Sequence, residues 1–163
     1  MRTIPWGPLI GLFRVEDDFI NLLLKDSESL TQDARPDLAG VIKDEKYYIQ
    51  DDKHWPVYCQ HLNSPVSEYL NHLLTDNNTI DKSKISWNLD GLWVNKQYRL
   101  EYNPPHDHTG ELSFVIYLKV PKEIYETEEE YPEHKFPGRF NFMTGFGNSP
   151  RQCSRHTKIL LHP

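Results

Sequence analysis

Apolar side chains at Val15, Phe19, Ile20, Leu23 and Leu24 recur at the 3.6-residue period of a helix, and Glu16, Asp17 and Asp18 stand where the helix dipole favours negative charge. This spacing predicts a first helix over about 16–25. A second pattern begins at Ser64, read as an N-cap, with Pro65 at the first helical position and Val66, Tyr69, Leu70, Leu73 and Leu74 forming one apolar stripe. Between them, residues 26–55 mix charges, Pro36 and Gly40 with β-prone pieces such as Tyr47-Tyr48-Ile49, enough for a strand or two.

From about residue 84 the period falls to 2. Leu92, Val94, Lys96, Tyr98, Leu100 and Tyr102 share one parity, which predicts a long half-buried strand. A second alternating segment runs from Leu112 to Val120. Residues 121–138, with three prolines and the acidic run Glu126-Thr127-Glu128-Glu129-Glu130, read as a solvated loop. Shorter strands are expected at 139–144 and 158–162, around a turn cluster at 145–150. Helices come first and strands after, so the expected class is mainly β with N-terminal helices (α+β) rather than alternating βαβ. The expected organisation is a single domain over 1–163, helical in 1–83 and built of strands in 84–163.

Composition narrows the function classes. The 163 residues suit one core, and 37% hydrophobic and 26% charged residues are ordinary for a folded chain. A net charge of −6 gives no basic footprint for nucleic acid or an anionic membrane surface. The longest apolar run is Phe114 to Leu118, far short of a bilayer span. Pro5, Gly7, Pro8 and Gly11 interrupt the one stretch resembling a signal sequence, so a cytoplasmic chain is expected. Cys59 and Cys153 are too few and too far apart for a disulfide framework or a metal knuckle and are read as reduced thiols. His61 and His72, in or beside the second helix, have no second ligand in phase.

The chemistry is concentrated in Asn103-Pro104-Pro105-His106-Asp107-His108, between the two best strand patterns. On extended backbone, residues two apart project from one face, so His106 and His108 can address one ion while Asp107 points away. Neutral imidazole suits Fe, Zn, Cu and Ni alike, so the pair implies a transition metal without choosing one.

The residues Trp93-Val94-Asn95, Tyr98, Asn103 to His108, and Leu112-Ser113-Phe114-Val115-Ile116-Tyr117-Leu118-Lys119-Val120-Pro121 form a segment that resembles the 2-oxoglutarate- and Fe(II)-dependent oxygenases of bacteria and phages. The resemblance covers about 90–121 closely. It implies a double-stranded β-helix, or jelly roll, with Fe(II) and 2-oxoglutarate as cofactor and cosubstrate, His106 and His108 as metal ligands, and Tyr117, assisted by Tyr98, at the cosubstrate carboxylate. Hydroxylation of a substrate, coupled to decarboxylation of 2-oxoglutarate to succinate, is the implied activity; no substrate is implied.

Two features depart from that family. His108 stands where the wider superfamily has a carboxylate, which leaves the ligand set one negative charge short. The family's G-D-x-x-x-F-P segment, third histidine and distal arginine do not occur before Pro163, so the expectation is a jelly roll incomplete at the C-terminus. His156, His162 and Glu111 are the alternatives for a third ligand. A cupin, approached by His106, His108 and Glu111, and a non-catalytic binding or structural barrel are the rival readings.

Overall fold

A computed structural model describes residues 2–4, 10–75, 81–104, 106, 108, 110–124 and 157–162, the first and last of these by backbone alone. Its elements are β1 (Arg2–Ile4), β2 (Ile10–Arg14), α1 (Asp17–Ser27), β3 (Asp44–Tyr47), α2 (Trp55–Leu73), a 3₁₀ turn (Lys82–Lys84), β4 (Trp93–Lys96), β5 (Leu112–Ile116) and β6 (Thr157–His162). One sheet of four strands has the order β1-β2-β6-β5. β1 and β2 are antiparallel, whereas β6 runs parallel to both β2 and β5, with Ile10 opposite Lys158 and Leu112 opposite Thr157. β3 and β4 form a separate antiparallel pair, Glu45 opposite Asn95. The described strands do not establish a jelly roll.

α1 follows the pattern that predicts it. Phe19, Ile20 and Leu23 are buried, Asp17 and Asp18 occupy the first turn and Lys25 the last. α2 differs: it begins at Trp55, well before the expected Ser64 cap, and Pro65 lies inside it. The stripe Tyr58, Leu62, Val66, Tyr69 runs through the proline without a break, and burial of that stripe offsets the backbone hydrogen bond that proline cannot donate. Asp51 organises the real start, its carboxylate accepting hydrogen bonds from the backbone N–H of Lys53 at 3.1 Å and of His54 at 2.6 Å.

The helices share one core with the sheet. Phe13, Phe19, Leu23, Tyr58, Leu62 and Tyr69 are at its centre, and Leu112, Phe114 and Ile116 of β5 pack against it. Gly11 marks the tightest approach: a Cβ there would lie 2.7 Å from the Phe13 ring and 2.8 Å from the Tyr69 ring, so only glycine lets β2 settle against α2. Strands from the N-terminal half thus join both sheets. The expected strand of residues 92–102 stops at Lys96, and the Leu112–Val120 strand stops at Ile116. The expected strand at 139–144, the acidic run, the turn cluster at 145–150, Cys153 and His156 lie outside the described residues.

Three tyrosines in this core bear on its stability at high pH. Burial pushes Tyr69 up to about 12 and Tyr48 and Tyr58 higher still, with Asp26, which accepts the Tyr58 hydroxyl at 2.6 Å, adding to the rise. A folded-state pKa raised above the ordinary 10.0 means that the contribution is complete below pH 10 and is lost as pH rises through the folded value. Unfolding free energy should therefore fall above about pH 10, by up to about 1.4 kcal/mol per pH unit for each phenol. Urea titrations across that range, with phenolate absorbance followed in parallel, test this; ionisation of all tyrosines near 10 in a still-folded chain would contradict it.

Candidate metal centre

β4 ends because the chain turns on itself. The Glu101 carboxylate accepts the Tyr98 N–H at 2.8 Å, the Glu101 N–H returns to the Tyr98 carbonyl at 3.1 Å, and Leu100 takes a left-handed φ of 70° at the tip. Tyr98, Leu100 and Tyr102, expected on the apolar parity of a long strand, are consequently exposed. The chain then crosses the segment before β3, where the Val41 N–H donates to the Tyr102 carbonyl at 3.2 Å. Gly40, at φ +126°, makes that crossing possible, since a Cβ there would run into the Asn103 side-chain oxygen.

His106 and His108 follow directly. The His106 Nδ1 stands 2.7 Å from the Pro104 carbonyl oxygen, which can only accept, so in the neutral ring Nδ1 carries the proton and Nε2 keeps its lone pair. That arrangement, one ring nitrogen held by a backbone carbonyl, orients and tautomerises metal-ligating histidines. The His108 ring stacks on Trp93 of β4 at 5.8 Å and an interplanar angle of 17°. The two imidazoles lie 4.9 Å apart, centroid to centroid, tilted by 56°. Two imidazoles bound to one ion at ordinary metal–nitrogen distances and bond angles of 90–109° would have centroids about 4.5–5.2 Å apart, a range that includes this separation.

The other expected site residues are placed less closely. Tyr117 is half-buried one residue past β5, on the parity opposite the core-packed Leu112, Phe114 and Ile116. Tyr98 is 51% exposed, in the turn rather than a strand, with the Lys96 ammonium 5.6 Å from its ring centroid. Glu111 is exposed, and His162 falls on β6. His61 stacks on Phe19 at 4.6 Å and serves the core, and His72 is exposed on α2. An open cleft of about 380 Å³ beside α2, lined by Cys59, Gln60, Asn63, Trp87 and Asn88, carries no titratable group besides the thiol.

Two acidic residues beside this segment, Glu45 and Glu101, are marked by no pattern in the sequence. Glu45 on β3 is 2% exposed, and among the described residues its Oε1 has no hydrogen-bond donor; the same is true of a buried Oε1 on Glu101. Burial, with the nearby negative charges of Asp33 and Glu101, raises the Glu45 carboxyl, while Arg35 and His106 oppose the rise. Arg35 is already engaged, its guanidinium donating to both Asp33 oxygens at 2.6–3.0 Å, which with the Arg35 N–H holds the Asp33 carboxyl down at about 2. Among the described residues, no three His, Cys, Asp or Glu side chains already stand together as a closed metal cage.

No family model, curated protein or solved structure matches the chain. No helix among the described residues is long and apolar enough to cross a membrane.

Proposed function

We propose that His106 and His108 bind Fe(II) and that the chain is a 2-oxoglutarate-dependent oxygenase. The observation that carries this reading is the orientation of the histidine pair: His106 held through Nδ1 by the Pro104 carbonyl, His108 held against Trp93, and the rings 4.9 Å apart. When bound, Fe(II) with 2-oxoglutarate and O₂ supplies an oxidative decarboxylation that yields succinate and CO₂ and oxidises a second substrate. The chain's own part is positional. Pro104 keeps Nε2 of His106 as the donor atom, and the Trp93 face restricts rotation of the His108 ring. Tyr117, one residue past β5 and half-buried, supplies a phenolic O–H to the cosubstrate carboxylate.

The test is succinate formation from 2-oxoglutarate by the iron-loaded protein. Tyr117→Phe removes one charge-assisted hydrogen bond of ~1.5–3 kcal/mol and should raise the apparent KM for 2-oxoglutarate by about 10-fold or more. An unchanged KM would take Tyr117 out of the site. Iron binding without any turnover of 2-oxoglutarate would overturn the oxygenase assignment in favour of a metal-binding protein of the cupin-like or non-catalytic kind.

A further inference from the structure

α2 and the chain ahead of β4 form a cleft that the histidine pair does not use. Cys59, Gln60 and Asn63 stand three and four residues apart on one face of α2, and Trp87 and Asn88 complete the lining. Its volume of about 380 Å³ falls at the lower end of the range for small-molecule sites. The two sides are tied together. Trp55 Nε1 of α2 donates to the carbonyl of the buried Leu89 at 3.2 Å, and Trp87 Nε1 donates to Asn63 Oδ1 at 3.3 Å. The cleft is therefore formed before any ligand arrives.

Among the described residues, no Asp, Glu, Lys, Arg or His lines it. A phosphate, carboxylate or ammonium group would lose hydration there without an opposite charge in return. The cleft offers instead three carboxamides, each a donor and an acceptor, and an indole held half-buried against the core. Asn63 accepts from Trp87 through Oδ1, which leaves its Nδ2 to donate. Asn88 donates to Asp90 Oδ1 at 3.3 Å, which leaves its own Oδ1 to accept. Sugar hydroxyls need such mixed partners, because each both donates and accepts. The C–H face of a pyranose ring, partially positive, settles on the negative face of an indole. We propose that this cleft binds a neutral carbohydrate, with Trp87 as the platform for a sugar ring and Gln60, Asn63 and Asn88 as partners of its hydroxyls. A nucleobase would use the same amides, but one aromatic in an open cleft leaves half of a flat base unstacked, whereas a pyranose has one apolar face to cover. The inference is independent of His106 and His108, neither of which lines the cleft.

The probes are maltose, cellobiose, lactose, mannobiose and diacetylchitobiose, titrated into the isotopically labelled full chain and followed by proton–nitrogen NMR. At least one should bind saturably and shift the side-chain amide signals of Gln60, Asn63 and Asn88 together with the Trp87 indole N–H. Gln60→Ala and Asn88→Ala change exposed side chains and should leave the fold intact. Each should weaken that binding by about 3-fold to 10-fold, the equivalent of one hydrogen bond. Trp87→Ala should weaken it further, and Trp87→Phe, which keeps a ring against the core, should retain part of the affinity. No binding of any of these disaccharides overturns the inference. Parent-like affinity in both alanine variants, or shifts confined to other signals, would place the sugar elsewhere and overturn it as well. Tighter binding of adenosine, with shifts at the same amides, would make the cleft a nucleobase site and refute the carbohydrate assignment.

Discussion

His106→Ala is expected to lower affinity for Fe(II), or for Mn(II) as its redox-silent substitute, by more than about 100-fold and with it any turnover of 2-oxoglutarate. The magnitude follows from the geometry. His106 is the ring whose tautomer is set by the Pro104 carbonyl, and in the proposed site it is one of two imidazoles on a single ion, so its loss leaves His108 alone. A single weak ligand does not retain a transition ion against water. Stability should hardly change, because His106 is exposed and substitutions of exposed side chains away from packing or capping roles usually stay within about 0.5 kcal/mol. His108→Ala should lose metal as well, and it also removes the stack on Trp93. Metal titration with near-ultraviolet circular dichroism as the folding control decides the matter; parent-like affinity in both variants would remove the pair from the site.

Phe19→Ala should cost about 3–5 kcal/mol of unfolding free energy, a large share of the roughly 5–15 kcal/mol expected for a domain. Phe19 is 1% exposed at the junction of α1 with α2. Its ring stacks on His61 at 4.6 Å and 8° and meets Tyr58 at 6.4 Å and 46°. Alanine therefore leaves a cavity in which His61 and Tyr58 lose their partner, and rigid helices on either side prevent full collapse. Urea denaturation of the variant against the parent measures the loss. A change under about 1 kcal/mol would mean that the helices are not held through this ring.

Much of the local structure was legible along the chain because its cause is local. The apolar stripe from Val15 to Leu24 pays off energetically only as a helix, and α1 forms over Asp17–Ser27. The alternating run from Leu112 and the short strand expected at 158–162 match β5 and β6. Pro65 misled because proline at a helix start and proline inside a helix look alike in sequence, and only the stripe running back to Tyr58 separates them. β2 was missed for a related reason: Gly11, with Pro5, Gly7 and Pro8 before it, looks like punctuation, yet Gly11 is where the Tyr69 ring needs room. The long strand after residue 92 failed at Tyr98, where alternation continues in the sequence but the Glu101 side chain captures the Tyr98 N–H and folds a turn.

The same division runs through the candidate centre. By itself the sequence determined that His106 and His108 lie two residues apart between β-type segments, which is a statement about neighbours on one stretch of backbone. Tertiary structure alone decided that Trp93 faces His108, that residues 102–103 cross the chain at Gly40 and Val41, and that the Glu45 carboxylate is buried on β3. Asp44, Glu45 and Lys46 show no apolar alternation that would mark one of them as interior. The physical reason is the range of the forces: periodicity records the free energy of burying one face of one element, whereas ring stacking, strand pairing and the field at a carboxylate depend on residues distant in the chain, which only folding brings together.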